Sequence, residues 1–172
     1  MPLASLIERI KKERPANVGS FFHGIDHWER VHTNGLKLCA YFNADPDVIR
    51  HFAYLHDSCR LNEGLDPEHG SRAAMYIDEL SDDIDLDDSQ IRILKRACSG
   101  HTHANPGAKA GLDITLACCW NADRLDIDRV GITLDTNQLF IRNASDLGNI
   151  LACKSKPQNY KSCNFNGHEN QF

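Results

Sequence analysis

The residues best able to do chemistry in this chain are histidines and aspartates. Leu55-His56-Asp57 closes a segment that reads DPDVIRHFAYLHD, His27 stands in HGIDHWERV, and Asp123 stands in NADRLD, each inside or beside an apolar run. Together His27, His56, Asp57 and Asp123 offer two imidazoles and two carboxylates. Borderline nitrogen donors mixed with hard oxygens suit manganese, iron, cobalt, nickel, zinc or magnesium better than copper. Four protein ligands on an octahedral ion leave positions open. Water there becomes a hydroxide-like nucleophile near neutral pH, and a phosphoryl oxygen can be polarised. Each residue taken singly has a plainer reading. His56-Asp57 can be a solvated helix end, His27 a histidine packed beside Trp28, and Asp123 a surface carboxylate paired with Arg124 or Arg129. The joint ligand set is the better account of all four.

Around this set stand further candidates. Arg60, three residues past Asp57, can meet a substrate phosphate through a bidentate contact, and a surface salt bridge is its plainer role. His69, at the start of the next helical segment, can orient a water or protonate a leaving group. Asp57, His69 and Arg60 are therefore the candidate catalytic residues. His23, Arg30, Arg60 and His101 are the candidates for contacting substrate. His32, His51 and His168 read as surface or packing residues.

The elements that must position these residues are helical. Leu3 to Arg14 carries an apolar stripe of Leu6, Ile7 and Ile10 and is closed by Pro15, with a loop over 16–20 beyond it. Asp26 is a candidate cap for a second helix running to about Asn43. Asp45-Pro46 starts the segment that ends at Asp57, and Asp66-Pro67 starts another through Ala73, Ala74, Ile77 and Leu80. Asp87 with Gln90 reads as a capping box for a helix over Ile91, Leu94 and Cys98. Leu112 to Leu125 reads as a long apolar helix with Asp123 near its end. The stretch from Ile132 to Ile141 reads as extended, and Asn143 to Leu151 as one short helix. The expectation is an all-α domain over 1–152, a bundle of about six helices, followed by an irregular polar tail over 153–172.

Composition narrows the class. The 172 residues fit one domain with one core. A net charge of −5 argues against a partner bound through a nucleic-acid backbone, which calls for a basic patch. It leaves room for a small anionic substrate, because a bound metal reverses the local field. No apolar run reaches the roughly 20 residues of a membrane span. The seven cysteines form no CxxC pair, so they read as reduced packing residues of a cytoplasmic protein, without disulfides or a structural zinc site.

The order HGIDHWERV, FAYLHD, NADRLD resembles the HD-domain superfamily of metal-dependent phosphohydrolases, over roughly Ser20 to Val130. The second His of the first motif, the His-Asp doublet and the first Asp of the last motif correspond to the family's ligands. The resemblance implies an all-helical bundle with the metal held in its middle, and a small phosphorylated substrate, with a nucleotide as one candidate. In two-metal members, histidines between the doublet and the last Asp hold a second ion, which makes His69 and His101 candidates. The full two-metal pattern is not evident, and a single ion is favoured. Two other readings stand beside hydrolysis. One is an HD-fold di-iron oxygenase, and the other is a module that binds metal and nucleotide without turnover.

Overall fold

The computed structural model describes residues 3–80, 84–106 and 112–155. Eight α-helices follow one another: α1 (Leu3–Glu13), α2 (Pro15–Val18), α3 (Ile25–Phe42), α4 (Pro46–Leu55), α5 (His69–Leu80), α6 (Asp88–Gly100), α7 (Ile114–Arg124) and α8 (Ala144–Ala152). Short 3₁₀ turns cover Ile127–Val130 and Thr136–Gln138, and no strand occurs among the described residues.

Local chemistry accounts for most of the helix starts. Asp45 accepts hydrogen bonds from the backbone N–H groups of Asp47 and Val48, and Pro46 sits at the first helical position of α4. Asp87 caps α6 in a complete capping box with Gln90. Asp113 caps α7 through the N–H groups of Thr115 and Leu116. Two starts differ from the sequence reading. Gly24, not Asp26, precedes α3, and Asp26 lies in its first turn, where its charge suits the helix dipole. The helix α5 begins at His69 rather than at Pro67, because Asp66 is drawn away to accept from Leu61 N and Arg72 Nη2. Residues 15–18 form a single helical turn where a loop was expected.

The helix α4 is the hub, touching α1, α3, α6 and α7, while α5 packs chiefly on α6. Seven of its residues are buried, among them Val48, Ile49, Phe52 and Leu55, so it is apolar nearly all round, as a central helix must be. The helix α7 is similar, with Leu116, Ala117, Cys118, Cys119 and Ala122 all buried. Cys39, Cys59, Cys98, Cys118, Cys119 and Cys153 are free, buried thiols. Burial pushes Cys39 up to about 12 and Cys98 and Cys119 well above the usual thiol range, so these thiols pack as small apolar groups.

The segment 132–141 is not extended. It makes a 3₁₀ turn and then folds Leu139, Phe140 and Ile141 into the core, with Phe140 N donating to Asn121 Oδ1 and the Phe140 ring packed at a tilt against Trp120. Most of the expected C-terminal tail, residues 156–172, and parts of the loops at 81–83 and 107–111 lie outside the described residues. No helix among the described residues is long and apolar enough to cross a membrane.

Candidate metal centre

Five helix ends meet at one place. His27 comes from the first turn of α3, His56 caps the C-terminus of α4, and Asp57 follows it. His69 opens α5, His101 caps the C-terminus of α6, and Asp123 lies in the last turn of α7. The C-termini of three helices thus face the cluster, and their partial negative charges favour a cation there.

The donors fall into two groups that share Asp57. In the first, His27 Nε2 and His56 Nε2 are 3.1 Å apart, and Asp57 Oδ2 lies 3.7 and 3.6 Å from them. Asp123 Oδ1 faces the same two nitrogens at 3.3 and 3.9 Å. In the second, Asp57 Oδ1 lies 3.0 Å from His69 Nε2 and 3.5 Å from His101 Nε2, and the two nitrogens are 2.7 Å apart. Donors about 2.1 Å from a common ion stand about 3.0 Å apart at a right angle and about 3.4 Å apart at the tetrahedral angle. The 3.1 and 3.3 Å separations of the first group therefore match a shared cation, and the 3.6–3.9 Å ones are wider.

Hydrogen bonding on the far side of each ring fixes which nitrogen is free. His27 Nδ1 lies 2.8 Å from Asp126 Oδ2, and His56 Nδ1 lies 3.1 Å from both Phe52 O and Ala53 O. His69 Nδ1 is 2.5 Å from Asp66 O, and His101 Nδ1 is 2.7 Å from Cys98 O. Carbonyl and carboxylate oxygens only accept, so all four Nδ1 atoms carry the proton and donate it. In the neutral rings, all four Nε2 atoms are then lone pairs, and they converge. Nitrogen lone pairs at 3.1 Å repel unless a cation or proton lies between them. Asp57 Oδ1 is buried there and accepts no hydrogen bond of acceptable geometry. A divalent ion resolves the first conflict, between His27 and His56, while Asp57 Oδ1 faces the second group. Metal-binding histidines are oriented through their other nitrogen in this way.

The protonation states agree. Burial holds His56 down to about 3, so its imidazole is neutral and ready to ligate. Burial opposes ionisation of Asp57 too, but the surrounding His56, His101 and His69 outweigh it and hold the carboxyl well below the usual range. Asp123 is likewise held low against its burial by His27, His56 and Arg129. Burial would lower His101, yet the Asp57 carboxylate more than offsets it and raises the ring above its ordinary value. The second group therefore attracts positive charge as well.

Asp126 and Glu63 are functional candidates that sequence reasoning passed over. Asp126 bridges His27 Nδ1 and Arg30 Nε, the latter at 2.7 Å. Its signal was present in NADRLD, whose second Asp stands one helical turn past the first. Arg30, expected to contact substrate, is placed at Asp126. Arg129, one of the two partners suggested for Asp123, lies 3.8 Å from it, while Arg124 turns instead to Ala104 O and the Phe140 ring. Glu63 accepts from Phe21 N and pairs with His23 Nδ1 at 3.0 Å, clasping the 58–66 loop to the 20–24 loop. Between these loops a cleft of about 140 Å³ opens onto Asp57, lined by Asn17, Ser20, His23, Arg60 and Leu61 among others. His23 and Arg60 line this cleft, whereas His101 belongs to the second donor group. No family model, curated protein or solved structure matches the chain.

Proposed function

We propose that this protein is a metal-dependent phosphohydrolase, similar to the HD-domain enzymes, acting on a small phosphorylated molecule. The observation that carries the reading is the convergence of the His27 and His56 Nε2 lone pairs with the Asp57 and Asp123 carboxylates in the middle of the bundle. His27, His56, Asp57 and Asp123 would hold a divalent ion. When bound, such an ion lowers the pKa of a water and polarises a phosphoryl oxygen.

The remaining roles fall to residues around that set. Asp126 keeps His27 in the ligating tautomer, and Arg30 keeps Asp126 ionised and oriented. Burial holds His23 below the ordinary histidine range, so it meets substrate as a neutral ring. His69 Nε2 stands 3.0 Å from Asp57 Oδ1, where it can take or give a proton beside the centre. Charge supports an anionic substrate. Three carboxylates, Asp57, Asp123 and Asp126, face three guanidiniums, Arg60, Arg129 and Arg30. A divalent ion added to this balanced cluster leaves it net positive, and a phosphate dianion restores neutrality. The cleft of about 140 Å³ is well below the roughly 300 Å³ at which whole-ligand pockets begin, which fits a phosphate group and its immediate neighbour.

The test is phosphate release from a panel of sugar phosphates, nucleotides and simple phosphomonoesters with Mn²⁺, Co²⁺, Ni²⁺, Zn²⁺ or Mg²⁺. Turnover of at least one substrate is expected, abolished by chelator and reduced at least about 100-fold in His56→Ala and Asp57→Ala. Turnover that survives both substitutions contradicts the reading. The sharing of Asp57 by two donor groups favours a second reading, a di-iron oxygenase. Two irons per chain with substrate-dependent oxygen uptake, and no phosphate release, would select it.

A further inference from the structure

The second donor group, Asp57 Oδ1 with His69 and His101, has a cation already beside it in the chain. Arg60 Nη1 lies over the face of the His69 ring, 3.2 Å from Nε2 and 3.3 Å from Nδ1, and 3.6 Å from Asp57 Oδ1. Its guanidinium is held there from behind. Nη2 donates to Gly64 O at 2.7 Å and Nε to Asn62 O at 3.3 Å, and Asn17 Nδ2 donates to the Arg60 carbonyl at 2.6 Å. The side chain is only 11% exposed, so it is a built part of the centre rather than a surface residue.

We propose that Arg60 stands in for a second metal ion, so that each chain binds one divalent ion and the Asp57–His69–His101 group is served by the guanidinium. The inference rests on the metal-binding reading of the first group. Three physical reasons support it. First, Asp57 Oδ1 is a pure acceptor, and the guanidinium lying over the His69 ring beside it is a permanently charged group with donors only. Second, the two groups are unequal. The first group has Asp123 beside it, with Oδ1 3.3 and 3.9 Å from the two nitrogens, whereas the second has only its share of Asp57. A divalent ion there would have two neutral nitrogens and half a carboxylate to offset its charge. Third, paired ions in such centres sit about 3.5–4 Å apart, and a fixed guanidinium beside the second position adds its own repulsion to theirs. The three carboxylates of the cluster already face three guanidiniums, and Arg60 is the one that balances Asp57.

Arg60 as a mere phosphate contact and Arg60 as a stand-in cation predict different metal contents. Protein stripped with chelator is equilibrated with excess MnCl₂ and desalted. Bound manganese per folded chain is then measured by elemental analysis, with electron paramagnetic resonance to tell isolated from coupled ions. Wild type is expected to hold one isolated ion. Arg60→Met, and Arg60→Gln as a second variant that keeps a donor for the loop carbonyls, are expected to hold two coupled ions. Arg60→Met/His69→Ala should return to one. Two coupled ions in wild type overturn the proposal by themselves. One ion in both folded single variants also overturns it and leaves Arg60 a substrate contact, with the first ion site intact. No ion in wild type sinks the metal reading itself and the proposal with it.

Discussion

His27 carries the chemistry of the centre on both of its nitrogens. Nε2 faces the two aspartates and His56, and Nδ1 is spoken for by Asp126. Replacing Asp126 with Asn removes the charge that fixes the tautomer while keeping the shape. Affinity for Mn²⁺, read by calorimetry, is expected to fall about 10- to 100-fold with the fold intact, and an unchanged affinity would remove Asp126 from the centre. That His27, His56 and Asp57 could stand together was legible in the sequence from their residue types and apolar flanks. Asp126 was not, since one carboxylate in NADRLD already had a role and nothing local distinguishes the second. Arg30 was misdirected for the same reason, its partner lying 96 residues away.

Another buried histidine gives a pH dependence. His51 donates Nδ1 to Asp47 O at 2.7 Å, and burial holds its pKa below the ordinary value, against the pull of that carbonyl. Below about pH 6.5 the unfolded chain then takes up a proton that the native ring refuses. His51 therefore contributes stability above that pH, and the contribution is lost as pH falls through the window beneath it. The melting temperature of His51→Gln should depend less steeply on pH below about 6.5 than that of wild type. Equal slopes would contradict the assignment.

Helices bring these side chains together, and their ends were legible where a cap is local. Asp45 and Asp87 each satisfy N–H groups two and three residues on, which a sequence displays directly. The starts of α3 and α5 were not, because Asp66 answers to Leu61 N and Arg72, and α3 begins at a glycine with no side-chain cap. The segment 132–141 was expected to be extended, but no strand among the described residues stands to pair with it, and it buries Leu139 and Phe140 on the bundle. Close helix contact sets the second donor group. A Cβ on Gly70 would lie 2.3 Å from Cys98 O, so α5 reaches α6 only through a glycine, and His69 and His101 adjoin that contact. Gly70→Ala is expected to cost about 1–3 kcal/mol in denaturant unfolding and to push His69 away from His101. Gly148→Ala, where a Cβ meets nothing within 4 Å in α8, should instead be neutral or stabilising by up to about 1 kcal/mol. Equal effects of the two would contradict this packing.

The molecule as a whole is a helical bundle whose central helix ends in the His-Asp pair, so the strongest local motif is also the topological centre. The all-helical class was legible from 3.6-residue periodicity and caps alone. The convergence of α3, α4, α5, α6 and α7 ends was not, because it depends on contacts between residues far apart in the chain. This convergence is suited to holding a divalent cation. Anomalous scattering from a crystal equilibrated with Mn²⁺ tests it most directly. The account predicts a peak among His27 Nε2, His56 Nε2, Asp57 Oδ2 and Asp123 Oδ1. A well-ordered centre with no peak there, at saturating Mn²⁺, would contradict it.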